Sequence, residues 1–275
     1  MRRRFDLQVK ALKDNHGENG TVSNNEPRLF HPTPKNDTAE PQYCLNAALL
    51  LFGVPKSFQY IWNAYLTNVI KRNPHVHFEV YMHMYSDLHQ NPFSNVRSSE
   101  VNSTLESPEE IRAILYKGIP NVHLFTSSQS EFDKEELSWM NAAKYNFGKG
   151  GPIYPKGGVG GYNEQTVKNI FRQGNSIKTV YSANASSQTY DVYIFARSDT
   201  YLLSPIDLPC SGLGEQELHV PSWHKWGGIN DRFALAGPAA AKIYAAKSDA
   251  AKEAVIKYHQ KITLSATDRK SAQSK

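Results

Sequence analysis

Asp191 to Thr200 reads DVYIFARSDT, and its first half decides the fold. An apolar run from Val192 to Ala196 stops at Arg197-Ser198-Asp199. Unbroken apolarity between polar ends is the pattern of a strand covered on both faces, as at the centre of a parallel sheet. Ligands of open α/β folds collect at the carboxyl ends of such strands. A cation and a carboxylate two residues apart at that edge are therefore placed to meet a charged ligand, or else to close the strand as a surface ion pair. The stretch alone leaves both readings open.

The chain before it supplies the rest of the sheet. Leu45 to Phe52 (LNAALLLF) is another apolar run, broken by Gly53-Val54-Pro55-Lys56-Ser57. Ser57 stands at an N-cap position. Phe58, Ile61, Trp62, Tyr65, Leu66, Val69 and Ile70 then recur at helical spacing, and Asn73-Pro74 ends the helix. Val76, Phe78, Val80, Met82 and Met84 alternate with His75, His77, Glu79, Tyr81 and His83, which predicts a strand with one apolar face. A Ser- and Asn-rich loop covers roughly 86–104. Ser107-Pro108-Glu109-Glu110 combines an N-cap, an N1 proline and a capping-box glutamate, so a short helix runs to about Tyr116. Val122 to Thr126 is the next strand. The order β-α-β-α-β predicts a parallel sheet with right-handed crossovers.

Glycines crowd 147–162 (FGKGGPIYPKGGVGGY), a long loop without phosphate-loop spacing, readable as a surface loop or as a lid over a ligand. Val167, Ile170, Phe171, Ile177, Val180 and Tyr181 predict a helix leading into the Val192 strand, weakened in its middle by Gly174. Tyr201-Leu202-Leu203 reads as a short extended piece, and His219-Val220-Pro221 resumes the sheet. Pro238 to Ala246 and Ser248 to about Gln260 are Ala-rich helices. Residues 1–42 are polar and aperiodic, a disordered leader, and 263–275 a disordered tail. The expectation between them is a single domain over 43–262.

Composition narrows the function classes. A hydrophobic fraction of 40% with 21% charged residues is that of a globular protein. The net charge of +5 has no basic run after Arg2-Arg3-Arg4, which favours anionic ligands and says little about nucleic acid, and no nucleic-acid partner is expected. No apolar stretch reaches membrane-spanning length, and no signal peptide follows the basic start. Cys44 and Cys210 offer one disulfide that spacing cannot assign. Sequons stand at Asn19, Asn36, Asn102 and Asn184 and matter only in a secretory compartment. No G-x-G-x-x-G follows the first strand, which argues against a dinucleotide-dependent oxidoreductase.

The candidate chemistry gathers around Asp199, Arg197 and Asp231. A carboxylate at a strand end can hold a divalent cation against phosphate oxygens, and an arginine can take phosphate through its fork. Asp231 reads equally as a general base or as the ion-pair partner of Arg232. His75, His77, His83 and His123 are read as solvated or hydrogen-bonded rather than as a metal cluster, with His224 and His259 as additional candidates for a metal shell. Trp223 and Trp226 suit either core packing or stacking on a sugar.

Four segments in order, AALLLFGVPKSF (47–58), FRQGNSI (171–177), YDVYIFARSDTYLL (190–203) and VPSWHKWGGINDRFA (220–234), carry a resemblance. Together they resemble an uncharacterised group of GT-A-type nucleotide-diphospho-sugar glycosyltransferases of algae and other microbial eukaryotes. The resemblance implies a Rossmann-like α/β/α sandwich with a mainly parallel central sheet, a nucleoside-diphosphate-sugar donor and a glycan or glycoconjugate acceptor. It implies that Gly53, Pro55 and Lys56 seat the nucleotide, that Arg172, Gln173 and Ser176 reach the diphosphate or sugar, and that Trp226, Gly228 and Asn230 belong to the donor site. Asp199 matches the metal-holding carboxylate for Mn²⁺ or Mg²⁺, Arg197 stands where the first carboxylate of the D-x-D motif belongs, and Asp231 matches the base. Relatives of this kind work in the Golgi lumen behind an N-terminal membrane anchor, and no such segment is present in this sequence. A non-catalytic or truncated carbohydrate- or nucleotide-binding protein on the same fold is the alternative expectation.

Overall fold

The structure, a computed structural model, describes residues 43–89, 106–119, 121–137, 164–185, 190–223 and 230–257. The leader, the tail, the glycine-rich loop, Trp226, Gly228, His224, His259 and three of the sequons (Asn19, Asn36 and Asn102) lie outside these residues, as does most of the Ser/Asn-rich loop. Asn184 falls within the last turn of a helix.

Six strands of the described residues form one sheet. They are β1 (Leu45–Phe52), β2 (Val76–Tyr85), β3 (Val122–Ser127), β4 (Val192–Arg197), β5 (Leu218–His219) and β6 (Phe233–Ala236). The spatial order is β3-β2-β1-β4-β6-β5. β1 to β4 are mutually parallel, whereas β6 runs antiparallel to both β4 and β5. The fold is therefore α/β with a mainly parallel mixed sheet.

The apolar runs read as fully covered strands behave as such. Along β1, Ala47, Leu49 and Leu51 enter the core on one face, while Ala48, Leu50 and Phe52 enter the core on the other. β4 divides the same way, Val192 and Ile194 against Tyr193 and Phe195. Helices α1 (Phe58–Tyr65) and α2 (Pro108–Tyr116) cover the first face through Phe58, Ile61, Trp62, Ile111 and Leu115. Helices α4 (Glu164–Ala185) and α5 (Pro238–Ala245) cover the second through Ile177, Val180, Ala241 and Tyr244. Burial of this two-sided apolar surface is the main source of stability.

Several expectations change in detail. β2 is buried along both faces, not one. Its polar residues face α4 and are matched internally: Tyr81 donates to Glu79 at 2.6 Å, and the His83 ring lies 2.8 Å from Ser176 Oγ. Ser57 holds the N-cap position but adopts a left-handed conformation (φ 51°) without capping through its side chain. The distant Glu106 accepts from the Phe58 N–H instead, at 2.8 Å. The capping box at Ser107–Glu110 forms as expected. α1 continues into a π-helical turn over Leu66–Ile70. α4 runs unbroken through Gly174, where a Cβ would come within 2.3 Å of Ser248 Cβ, so the missing side chain lets another segment approach. Tyr201 to Leu203 takes no regular structure. The second Ala-rich helix covers 247–257. A helix that apolar periodicity did not signal, α3 (Gln129–Glu136), follows β3.

Cys44 and Cys210 form a disulfide with Cα atoms 5.4 Å apart. It ties the start of β1 to the segment after β4, closing a span of 166 residues.

Candidate functional site

Strand order fixes where a ligand can sit. β2 and β3 lie on one side of β1 and β4 on the other, so the connection reverses between β1 and β4. The carboxyl ends of those two strands flank the crevice where open α/β sheets take ligands. Phe52 and Arg197 are register partners at those ends, which brings Gly53 and Arg197 side by side. Because β6 is antiparallel to β4 and Phe233 pairs with Ala196, residues 230–232 reach the same edge.

A cleft of about 160 Å³ opens there. Gly53, Val54 and Lys56 after β1, Tyr85 ending β2, Gln129 opening α3, Asn169, Arg172 and Gln173 on α4, and Arg197 and Asp199 after β4 form its walls. Six residues expected at a nucleotide site, Gly53, Lys56, Arg172, Gln173, Arg197 and Asp199, are thus brought together from three separate segments.

Gly53 is suited to its place. Its φ of +95° belongs to glycine, and a Cβ would stand 3.1 Å from Arg197 Cγ. Its N–H donates to Ser176 Oγ at 3.1 Å. That hydroxyl also meets His83 Nδ1 at 2.8 Å, while His83 Nε2 lies 2.8 Å from Ser127 Oγ. His83 is buried, and burial alone lowers its pKa to about 4, so the ring is neutral near pH 7. Ser176 is buried with it and props the turn from below instead of lining the cleft.

Arg197 and Asp199 close on each other as a fork, Nε to Oδ1 at 2.5 Å and the second guanidinium nitrogen to Oδ2 at 2.9 Å. Both side chains remain about a quarter accessible, so the pair faces the cleft. Beneath it the Tyr65 hydroxyl is buried without a hydrogen-bond partner among the described residues. Burial first, then the charge of Asp199, pushes its pKa up, against a smaller opposing effect of Arg197.

Arg172 is held differently. Its guanidinium forks onto Asp133 of α3, with Nε to Oδ1 at 2.8 Å and a second contact to Oδ2, and donates to Asn169 Oδ1 at 2.7 Å. It forms a fixed, buried wall. Gln129 on the same rim is set by Asp87, which accepts from the Gln129 and Ser130 N–H groups at 2.7 and 3.0 Å. Burial raises the pKa of Asp87, but those N–H bonds outweigh it and hold the group at about 2.

Asp231 is exposed and stands next to the cleft rather than in its wall. Gln173 bridges the two, donating to Asp231 O at 2.9 Å and Oδ2 at 3.2 Å. Of the two readings of Asp231, an ion pair with Arg232 is absent among the described residues; Arg232 instead lies 6.0 Å over the Trp223 ring. Near Asp231, Lys247 Nζ sits 3.7 Å above the Tyr244 ring. Burial lowers the Lys247 pKa to about 8 against an opposing effect of Asp231. Asn230 is buried and structural: its side chain donates to Trp223 O and accepts from Arg232 N. Pro55 is buried beside the cleft without lining it.

The histidines on and near β2 are hydrogen-bonded, His75 to the Leu208 carbonyl and His77 to Asn121. One cluster with metal-ligand proximity occurs among the described residues, Cys44, His75 and Cys210, and its two sulfurs are consumed by the disulfide. For the divalent cation implied by the resemblance, Asp199 is the single carboxylate of the cleft wall among the described residues, and both its oxygens are on Arg197. That donor set does not make a cation site in this arrangement.

Sequence reading missed Tyr85, Gln129, Asn169 and Asp133. Tyr85 and Gln129 lie at strand and helix ends that position alone could have flagged; Asp133 sits in the unforeseen α3. No helix of the described residues is long and apolar enough to cross a membrane. No family model matches the chain, and no curated protein matches it.

Proposed function

We propose that the protein is a glycosyltransferase moving a sugar from a nucleoside-diphosphate donor to an acceptor hydroxyl. The observation that carries the reading is the convergence of Lys56, Arg172 and Arg197 on one cleft at the β1/β4 crevice. In the proposed step the acceptor oxygen bonds to the anomeric carbon as the bond from that carbon to the phosphate oxygen breaks. The electron pair leaves with the diphosphate, and Lys56 and Arg197 meet the charge that develops. The acceptor proton passes to Asp231, which Gln173 holds at the rim. A secretory lumen suits the Cys44–Cys210 disulfide, since such bonds persist in oxidising compartments.

One observation favours the alternative of a non-catalytic nucleotide- or carbohydrate-binding protein: Asp231 is outside the cleft wall. Incubation with UDP- and GDP-sugars and simple sugar acceptors, reading release of the nucleoside diphosphate, separates the two. Release that Arg197→Ala and Asp231→Asn each lower at least about tenfold supports transfer. Nucleotide binding without release supports the alternative, and neither binding nor release removes both.

A further inference from the structure

The Arg197–Asp199 pair has a feature that a standing cation site lacks. Its carboxylate fills the arginine fork with the same two-oxygen geometry that a phosphate offers. Arg172, another arginine of the wall, is itself buried and spends its donors on Asp133 and Asn169, whereas both members of the Arg197 pair are accessible from the cleft. Lys56 is a third cation of that wall, with no ion-pair partner among the described residues. Below the pair, the Tyr65 hydroxyl is buried without an acceptor among the described residues, within electrostatic reach of Asp199. A buried donor left unsatisfied costs stability, so the arrangement favours a second state in which an acceptor reaches it.

We propose that Asp199 is an internal stand-in for phosphate, and that the cleft takes a diphosphate on Arg197 and Lys56 without a divalent cation. An incoming phosphate displaces the Asp199 carboxylate from the fork, and the released carboxylate turns towards the Tyr65 hydroxyl. This deepens the glycosyltransferase reading by assigning the charge-bearing half of the donor to two named cations, but it concerns anion binding alone. The sign of one substitution decides it. With Mn²⁺ present, a metal-holding Asp199 makes its removal weaken diphosphate binding, whereas a competing Asp199 makes its removal strengthen it with or without the ion.

The test is calorimetric titration of the full chain with inorganic pyrophosphate in EDTA, and with UDP in EDTA or in Mn²⁺. Wild type binds pyrophosphate in EDTA, and Asp199→Asn binds it, and UDP in Mn²⁺, about fivefold tighter or more, as expected for removal of a partly exposed competing ion pair. Arg197→Lys, which keeps the charge and loses the fork, weakens it about tenfold. Manganese changes UDP affinity less than about twofold. Weaker binding by Asp199→Asn, binding that requires Mn²⁺, or no pyrophosphate binding by wild type each overturns the proposal. Asp199→Ala repeats the sign test, and thermal melts establish that each variant is folded. Since pyrophosphate carries neither sugar nor nucleoside, the expected pattern without sugar transfer keeps this inference and removes the transferase reading. The reverse pattern keeps the transferase and removes the stand-in.

Discussion

His83→Gln turns the buried support of the cleft into a measurable pH effect. His83 is 1% exposed beneath the Gly53 turn, between Ser176 and Ser127, with the Tyr85 ring edge-on at 5.1 Å. Burial depresses its pKa from 6.5 to about 4. The folded value lies below the unfolded one, so between these pH values the unfolded chain takes up a proton that the folded chain refuses. Stability from this residue is complete above pH 6.5, declines as pH falls and levels off below about pH 4. At about 1.4 kcal/mol per unit, the loss over that window is about 3 kcal/mol. Glutamine keeps a donor and an acceptor but does not titrate. Urea unfolding at pH 7, 6, 5 and 4 gives the stability of each protein, and subtracting the variant from wild type removes the shared carboxylate titrations. The difference in stability, wild type minus variant, is expected to fall by about 3 kcal/mol from pH 7 to pH 4. Parallel pH curves for the two proteins refute the reasoning, because a buried neutral imidazole cannot leave the slope unchanged.

Two further outcomes follow from the same framework. Cys44→Ser removes a link across 166 residues and is expected to lower stability by about 2–5 kcal/mol, with a reductant shifting the urea midpoint of wild type but not of the variant. Two titratable thiols in unreduced native protein contradict it. Gly53→Ala places a methyl at a φ of +95° and 3.1 Å from Arg197 Cγ. A destabilisation of about 1–3 kcal/mol is expected, with weaker UDP binding in titration calorimetry; unchanged melting and binding count against the described turn.

What the sequence disclosed depended on whether the physical signal was local. The apolar runs of β1 and β4 declare a two-sided core because each residue in them faces one layer or the other. The helical spacing of Phe58 to Val69 announces α1 for the same reason. β2 misled because its second face is buried yet polar: Tyr81 donates to Glu79, His83 bonds Ser176 and Ser127 on other elements, and no alternation pattern records such partners. α3 has no apolar stripe to read. Caps from Ser128 and Asp87 support it, and Asp87 comes from the turn that follows β2. At the site, the strand end pointed to Arg197 and Asp199, while Gly53 and Lys56 came from the resemblance. Ser176, Pro55 and Asn230 turn out to hold backbone or core around the cleft, a distinction that depends on side-chain direction. Ser57 shows the limit most simply, since the position is a helix start but the capping oxygen comes from Glu106, 48 residues away.

The most direct measurement is a crystal structure of the protein grown or soaked with UDP or GDP. The account predicts a diphosphate in the β1/β4 crevice, with phosphate oxygens within hydrogen-bonding distance of Lys56 and of the Arg197 guanidinium, and Asp199 withdrawn from that fork. A nucleotide bound elsewhere, or a diphosphate touching neither cation while the Arg197–Asp199 pair stays closed, contradicts it.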